Sequence, residues 1–408
     1  MDAVFEPTYF KNEIIWKRTG AHGNVTGTYG DVTDTILFYG KSDRTLWNQQ
    51  FVPLRDKLIA SKFRYSDTDG RRWQSVTLRN PGVRPNLKYP YTASNGMTYQ
   101  PHPNGWSCDI ERMQHYDRED RLYYPSKPAG QLRLKMYLDE SKGGRVQNLW
   151  DDISPINSQA VERLGYPTQK PEALLERIIL ASSHEGDIVL DPFCGCGTAI
   201  STSQRLKRQW IVIDITHLAI GLIKSRLRDA YGDHIKETYT VTGEPTDLSS
   251  AKSLAQQDPF QFQWWALGLV GSRQAAQKKG ADKGIDGQLF FHDRHGGTTQ
   301  KIILSVKSGH LKPDDVRSLL GVVNREQAAI GVLITLHPPT RPMKADAASA
   351  GFYEAVEWNR QLFPRIQILT IADLLEGKEI NYPKALNVTF KVAPKRKYVE
   401  PENQPLAL

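Results

Sequence analysis

Polar and apolar positions change rhythm several times along the chain, and each change marks an element. Residues 9–18 (YFKNEIIWKR) and 34–40 (DTILFYG) read as two strands, bounded by the Gly/Thr-rich turn stretch Gly20–Gly30. From about Ser42 to Ser158 the periodicity is poor, and Tyr, Trp, Arg, Lys, Pro and Asn accumulate, as in RRWQSVTLRNPGVRPNLKYPY. A stretch of that length without regular patterning is uncommon inside a compact domain unless it is a functional insertion. Order returns at Thr168. Pro171 suits a first helical turn, and Leu174, Leu175, Ile178 and Ile179 form one apolar stripe at helical spacing. Gly186–Asp187 makes a turn before a short buried strand at Ile188–Leu190. A Gly-rich loop, a helix from about Thr198 to Leu206 and a strand at Trp210–Asp214 complete a β-loop-α-β unit. The pattern then predicts a helix at His217–Arg228 and a strand at Thr238–Val241.

Residues 243–257 (GEPTDLSSAKSLAQQ) are polar and turn-rich, which places a linker at about 246–258. Beyond it the pattern predicts a helix at Phe260–Val270, strands at Ile285–Phe291 and Lys301–Lys307, and a helix at Pro313–Gln327. A strand at Ile330–Thr335, a helix at Gly351–Asn359 and a strand at Arg365–Leu369 follow. Thr370 with Asp373 resembles a capping box for a last short helix ending at Gly377. The reading is therefore an α/β chain of two domains, 1–245 and 259–380, with a Pro- and Lys-rich tail at 381–408. A length of 408 residues is enough for both cores.

Charge adds a partner class. The net charge of +8 favours a polyanion. No apolar run approaches the ~18–20 residues that span a bilayer. The acids of MDAVFEP stand where a signal peptide needs positive charge, so the cytoplasm is the expected compartment. Cys108, Cys194 and Cys196 make no disulfide framework, and Cys194 with Cys196 lacks the further ligands of a zinc site.

The chemistry concentrates in Asp191-Pro-Phe-Cys-Gly-Cys-Gly-Thr198, where a strand ends and a helix begins. Gly195 and Gly197 let the backbone pass close to a ligand. Asp214, ending the next strand, sits where nucleotide-binding sheets place an acid for ribose hydroxyls. The loop lacks a P-loop's Lys and spacing, and an acid at its start suits an ammonium better than phosphates.

Gly165-Tyr-Pro-Thr-Gln-Lys-Pro-Glu172 followed by DPFCGCGT resembles motif X followed by motif I of the DNA amino-methyltransferases of the permuted beta group. The resemblance implies a partial Rossmann-like domain over 1–245. It implies S-adenosylmethionine as cofactor, double-stranded DNA as partner, and methylation of adenine N6 or cytosine N4, adenine being the commoner target in that family. It places Asp191, Phe193, Gly195, Gly197 and Thr198 along the cofactor, Asp214 at its ribose, and Thr168 and Lys170 at its methionine end. The stretch 42–158 then occupies the target-recognition position. There Arg71, Arg72, Arg79, Arg84 and Lys88 are candidate DNA contacts, and the alternative for each is an ordinary solvated basic residue.

The family's catalytic Asp/Asn/Ser-Pro-Pro-aromatic motif, whose ring stacks on a flipped base, has no counterpart. Asp258-Pro-Phe260 lacks a proline and His337-Pro-Pro339-Thr340 has the wrong flanks. Without that motif's strands the sheet has a hole, so the expectation is a lost upstream portion or a separate polypeptide that supplies it. Alone, the chain is expected to bind cofactor poorly and to methylate nothing. In the second domain, Gly284-Ile-Asp286-Gly287 and Ile303-Leu-Ser-Val-Lys307 resemble the PD-(D/E)xK restriction-nuclease core. Asp286, as a Mg²⁺ ligand, and Lys307 match it, while Ser305 stands where an acid is expected. Asp282 and Asp258 are further candidate ligands. Two other readings stay open: a Mg²⁺-dependent DNA endonuclease, and a DNA-binding remnant without catalysis.

Overall fold

The computed structural model describes residues 1–20, 26–125, 130–157, 159–164, 166, 168–274, 284–292, 298–355, 360–383 and 386–387. The chain forms two compact units, one of Met1–Asn48 with Asn148–Leu408 and one of Gln49–Gln147. Among the described residues no helix is long and apolar enough to cross a membrane.

In the first unit, β1 (Phe10–Lys17) pairs antiparallel with β2 (Thr33–Tyr39), and β3 (Leu149–Trp150) joins β1 in parallel, Ile15 opposite Leu149. Helix α1 (Glu172–Ser182) leads to β4 (Ile188–Asp191), α2 (Thr198–Arg205), β5 (Gln209–Val212) and α3 (His217–Tyr231). Strands β4 and β5 pair in parallel from Ile188 opposite Gln209 to Asp191 opposite Val212. One face packs on the helices: Trp210 and Val212 lean on a cluster of Ile200, Ile223, Leu227 and Tyr231. The other face is uncovered, with Ile188, Leu190 and Ile211 between 50% and 59% exposed. Parallel sheets in α/β proteins are covered on both faces, so this one is half-built.

The rest of the first unit runs through α4 (Leu248–Gln257), α5 (Pro259–Leu269), β6 (Gly287–His292), β7 (Thr299–Lys307), α6 (Pro313–Arg325) and β8 (Ile330–Thr335). It ends with α7 (Arg341–Ser349), β9 (Phe352–Ala355), β10 (Gln361–Pro364), β11 (Ile366–Thr370) and α8 (Ile371–Leu375). The sheet order is β6-β7-β8-β11, antiparallel at β6/β7 and parallel beyond. All six residues of β8 are buried because helices cover both faces. Phe262, Trp265 and Ala266 of α5 pack on Ile302, Leu304 and Val332 on one side, and Val316, Leu319 and Val323 of α6 pack on Ile303 and Leu333 on the other.

Three expectations give way, and one helix was not foreseen. The expected linker is largely helix α4, because Asp247 and Ser250 make a reciprocal capping box that a polar, Ser-rich composition hides. Residues Asp233–Thr238 form a 3₁₀ helix, and no strand follows at Thr238–Val241. The expected helix at Gly351–Asn359 begins as strand β9, paired with β10 from Phe352 opposite Pro364. Its exposure alternates as in a strand, outward at Phe352 and Glu354 and inward at Tyr353 and Ala355, and positions 356–359 lie outside the described residues. Helix α7 went unread because Lys344, Asp346 and five short or polar neighbours leave it almost no apolar stripe.

The second unit is ordered despite its pattern. Strands Tyr65–Ser66, Arg72–Thr77, Arg133–Tyr137 and Leu122–Tyr123 lie side by side in that order, and helix Ile110–Arg118 leads into Leu122–Tyr123. Its core holds Leu78, Tyr91, Tyr99, Trp106, Met113, Leu122 and Leu132. Asp117 ties this core to loops: its carboxylate accepts from Tyr91 Oη at 2.8 Å, Ser94 N at 2.8 Å, Ser94 Oγ at 2.7 Å and Tyr124 Oη at 2.8 Å. Burial pushes the Asp117 carboxyl up, but the hydrogen bonds from Ser94, Tyr91 and Tyr124 outweigh it and hold it below the usual value. A group depressed in the folded state stabilises above its unfolded pKa, about 3.9, and that support is lost as pH falls through the folded value. The melting temperature of this unit is therefore expected to drop below about pH 4. Asp117→Asn should melt lower at neutral pH and flatten the acid limb. An unchanged acid limb in the variant would refute the role given to Asp117.

Candidate cofactor site and nuclease-like site

The loop Asp191–Thr198 leaves the carboxyl end of β4 and enters α2. Gly195 has φ 50° and Gly197 φ 74°. A Cβ on Gly197 would lie 2.7 Å from Ile223 Cγ1, so only glycine lets α3 pack this close beneath the loop. Asp214 leaves β5 at the same sheet end, and its carboxylate grips the loop: Oδ2 accepts from Gly195 N at 2.9 Å. Oδ1 accepts from Thr216 N at 2.9 Å and Thr216 Oγ1 at 2.8 Å. Asp191 Oδ1 accepts from Phe193 N at 3.1 Å, and the Phe193 ring is 87% exposed. Both carboxylates thus stand at neighbouring strand ends with lone pairs to spare for a ligand's donors.

Residues from the preceding segment close the loop from the side. Thr198 Oγ1 donates to Lys170 O at 3.2 Å, and Lys170 Nζ pairs with Asp34 at 2.9 Å, 5.7 Å from the Trp16 ring centre. Thr168 is an exposed turn residue at this edge. Three residues escaped the sequence reading. Tyr166 lays its ring against Gly195, where a Cβ would lie 3.2 Å from Tyr166 Cε1. Burial, with Asp214 nearby, pushes its phenol up and keeps it neutral. Arg226 of α3 donates to Cys196 O at 3.1 Å and to Glu172 Oε1 at 2.7 Å. Glu172 Oε1 also accepts from Ser201 Oγ at 2.8 Å. One buried ion pair therefore clamps loop, α1 and α2 together. A lone Arg on an amphipathic helix carries no signal of this in sequence. Burial pushes the Cys194 thiol up to about 12, which removes it as a nucleophile.

In the nuclease-like part, Asp286 lies beside β7. Its Oδ2 accepts from Val306 N at 2.7 Å and Ser305 Oγ at 3.2 Å, and its Oδ1 accepts from Gln263 Nε2 at 3.1 Å. These bonds tie the carboxylate to β7 and α5. Asp258 caps α5 instead, accepting from Phe260 N and Gln261 N. Asp282 lies outside the described residues. Lys307 shares a strand face with Ser305. Among the described residues no group of three His, Cys, Asp or Glu side chains is placed to hold a metal. One carboxylate and a serine, outside any such group among the described residues, do not fit Mg²⁺, which takes several hard oxygens.

A family described as DNA methylase matches residues 1–225, more than half of the chain and the whole of the cofactor loop. The chain belongs to that family. A second family, described as NACHT-associated inactive Restriction Endonuclease 1, matches residues 260–376. The type II methyltransferase M.EcaI of Enterobacter cloacae is 26% identical over 252 residues, 61% of this chain and 54% of the relative. M.HpaI of Haemophilus parainfluenzae is 35% identical over 153 residues, 38% of this chain and 44% of the relative. The DNA adenine methyltransferase YhdJ of Escherichia coli is 41% identical over 113 residues, 28% of this chain and 38% of the relative. The chain spans about half the length of M.EcaI and M.HpaI.

The candidate DNA contacts divide on inspection. Arg71 is paired with Asp139 at 2.9 Å and Glu140 at 3.2 Å and lies over the Tyr137 ring at 3.9 Å. Arg72 donates to Phe63 O. Both hold the second unit together. Arg79 joins Trp106 in a backbone bridge, and Arg84 and Lys88 are exposed. Millimolar magnesium is expected to leave the melting temperature unchanged and to support no DNA cleavage. Magnesium-dependent nicking that vanished in Asp286→Ala would overturn this.

Proposed function

We propose that this chain supplies cofactor binding and target recognition in site-specific methylation of double-stranded DNA, within a restriction-modification system of the cytoplasm. The group transferred is the methyl on the sulfonium of S-adenosylmethionine, and the acceptor is adenine N6, or cytosine N4 as the less favoured target. The observation that carries this reading is the bond from Gly195 N to Asp214, which joins the glycine loop and the acid of the next strand into one cradle. Its donor set suits the cofactor. Asp191 faces an ammonium, Asp214 accepts from ribose hydroxyls, and the bare Cα atoms of Gly195 and Gly197 leave room for the ligand. Phe193, Thr198, Thr168 and Lys170 border it, and Arg84 and Lys88 contact phosphates of the duplex.

The uncovered face of β4 and β5 supports the second half of the proposal. A further stretch of polypeptide, carrying a strand and the Asp-Pro-Pro-aromatic motif, covers Ile188, Leu190 and Ile211 and brings the base-holding groups. That stretch is either an upstream portion of the same protein or a separate polypeptide. The same bare face, with the engaged Asp286, favours the alternative of a DNA-binding remnant that neither methylates nor cuts.

The test is equilibrium dialysis with labelled S-adenosylmethionine, followed by co-expression with any polypeptide encoded beside this chain that carries such a motif. The chain alone should bind weakly, and Asp214→Ala should weaken binding about tenfold or more. Co-expression should tighten binding and transfer label to duplex DNA. No binding and no transfer in any combination would leave the remnant reading standing.

A further inference from the structure

Helices α3 and α5 meet at two glycines: a Cβ on Gly221 would lie 3.7 Å from Gly268 Cα. Past that contact the helices part and leave a cleft of about 150 Å³, lined by His217, Lys224, Ser225, Arg228, Glu244 and Trp265. Gly268 and Gly271 form the rest of its wall, and a Cβ at either would meet nothing within 4 Å. Glycine inside a helix costs roughly 0.5–1 kcal/mol relative to alanine. At Gly268 that cost leaves open space in place of a packed side chain.

The lining is chemically unbalanced. Lys224 pairs with Glu244. Arg228 reaches only the Ser225 hydroxyl, at 3.2 Å, and has no ion pair among the described residues. Two cations thus face one carboxylate, with a hydroxyl and an imidazole beside them. Burial, partly offset by Glu244, lowers the His217 pKa and leaves a neutral ring that can donate one hydrogen bond. A cavity of about 150 Å³ holds a body the size of benzene, so a tetrahedral oxyanion fits. Its enclosure between helices suits a small molecule better than the continuous backbone of a nucleic acid.

We propose that this cleft binds a small phosphate-bearing ligand, inorganic phosphate or a phosphate monoester, through Arg228, Lys224 and Ser225. The site lies where α3, whose Arg226 grips the cofactor loop, meets the nuclease-like part, and it is separate from both the loop and Asp286. The entering anion takes Arg228 directly and shares Lys224 with Glu244, its charge-assisted hydrogen bonds replacing water at the rim.

Equilibrium dialysis of the full chain with radiolabelled inorganic phosphate tests this. One phosphate per chain is expected, displaced by AMP and untouched by adenosine. Arg228→Gln and Lys224→Gln should each weaken binding about tenfold or more, while Lys252→Gln on α4 should not. Gly268→Leu fills the cleft without altering charge, so it should abolish phosphate binding while the melting temperature is retained. No saturable binding to the wild type, or equal binding by all these variants, overturns the proposal. Displacement by a short DNA duplex whose own binding fails in Arg228→Gln also overturns it, by reassigning the cleft to a nucleic-acid surface.

Discussion

Replacing Arg226 with leucine is expected to lower the stability of the first unit by about 3–5 kcal/mol, the cost of stranding one member of a buried ion pair. The side chains of Arg226 and Glu172 are only 5% and 14% exposed, so water cannot take over the lost partner. The substitution also removes the donor to Cys196 O, and with it the buttress under the glycine loop. Urea unfolding should show the loss, and affinity for S-adenosylmethionine should fall in parallel. Glu172→Leu added to Arg226→Leu should restore much of the stability, since no charge is then left buried. It should not restore cofactor affinity, because the Cys196 carbonyl still lacks its donor. A single-variant loss below about 1 kcal/mol would place this pair with ordinary surface ion pairs and sink the argument.

The second large effect is expected at Gly197. Alanine there must adopt a left-handed backbone, at about 1–2 kcal/mol, and its Cβ would stand 2.7 Å from Ile223 Cγ1 and 3.3 Å from Ile200 Cδ1. Overpacking of this kind adds about 1–3 kcal/mol. Gly186 offers the comparison, because it also has positive φ, 86°, with nothing within 4 Å of a Cβ. Gly186→Ala should therefore show the backbone cost alone and keep cofactor binding, whereas Gly197→Ala should cost more and lose it. Equal penalties at both positions would mean that α3 yields and that the close approach is not required.

Where local chemistry dictates local structure, the sequence was readable. The apolar triplet before DPFCGCGT could only end a strand, and its glycines could only turn, so β4, α2 and β5 follow directly. The buried run of β8 and the Thr370–Asp373 box are legible for the same reason. What stayed hidden depends on partners distant in sequence. Arg71 and Arg72 look like free cations until Asp139, Glu140 and the Phe63 carbonyl are placed beside them. The second unit reads as irregular because its strands are short and its core is built from Tyr, Trp and Met under loops, a composition without period. The α4 cap uses Ser250 where a capping box normally shows Glu or Gln, so the helix start carries no familiar signature.

The glycine contact between α3 and α5 binds the histories of two segments that the family matches treat separately. Gln261 of α5 accepts from His217 N and donates to Ile215 O, so the rear segment also holds the turn that leads out of β5. A Cβ gained at Gly221 would meet Gly268 Cα at 3.7 Å, an ordinary van der Waals contact, so the two segments touch there without strain. The rear segment thus has a structural task beside β5 that is independent of any metal, because Gln261 ties down the turn at Ile215.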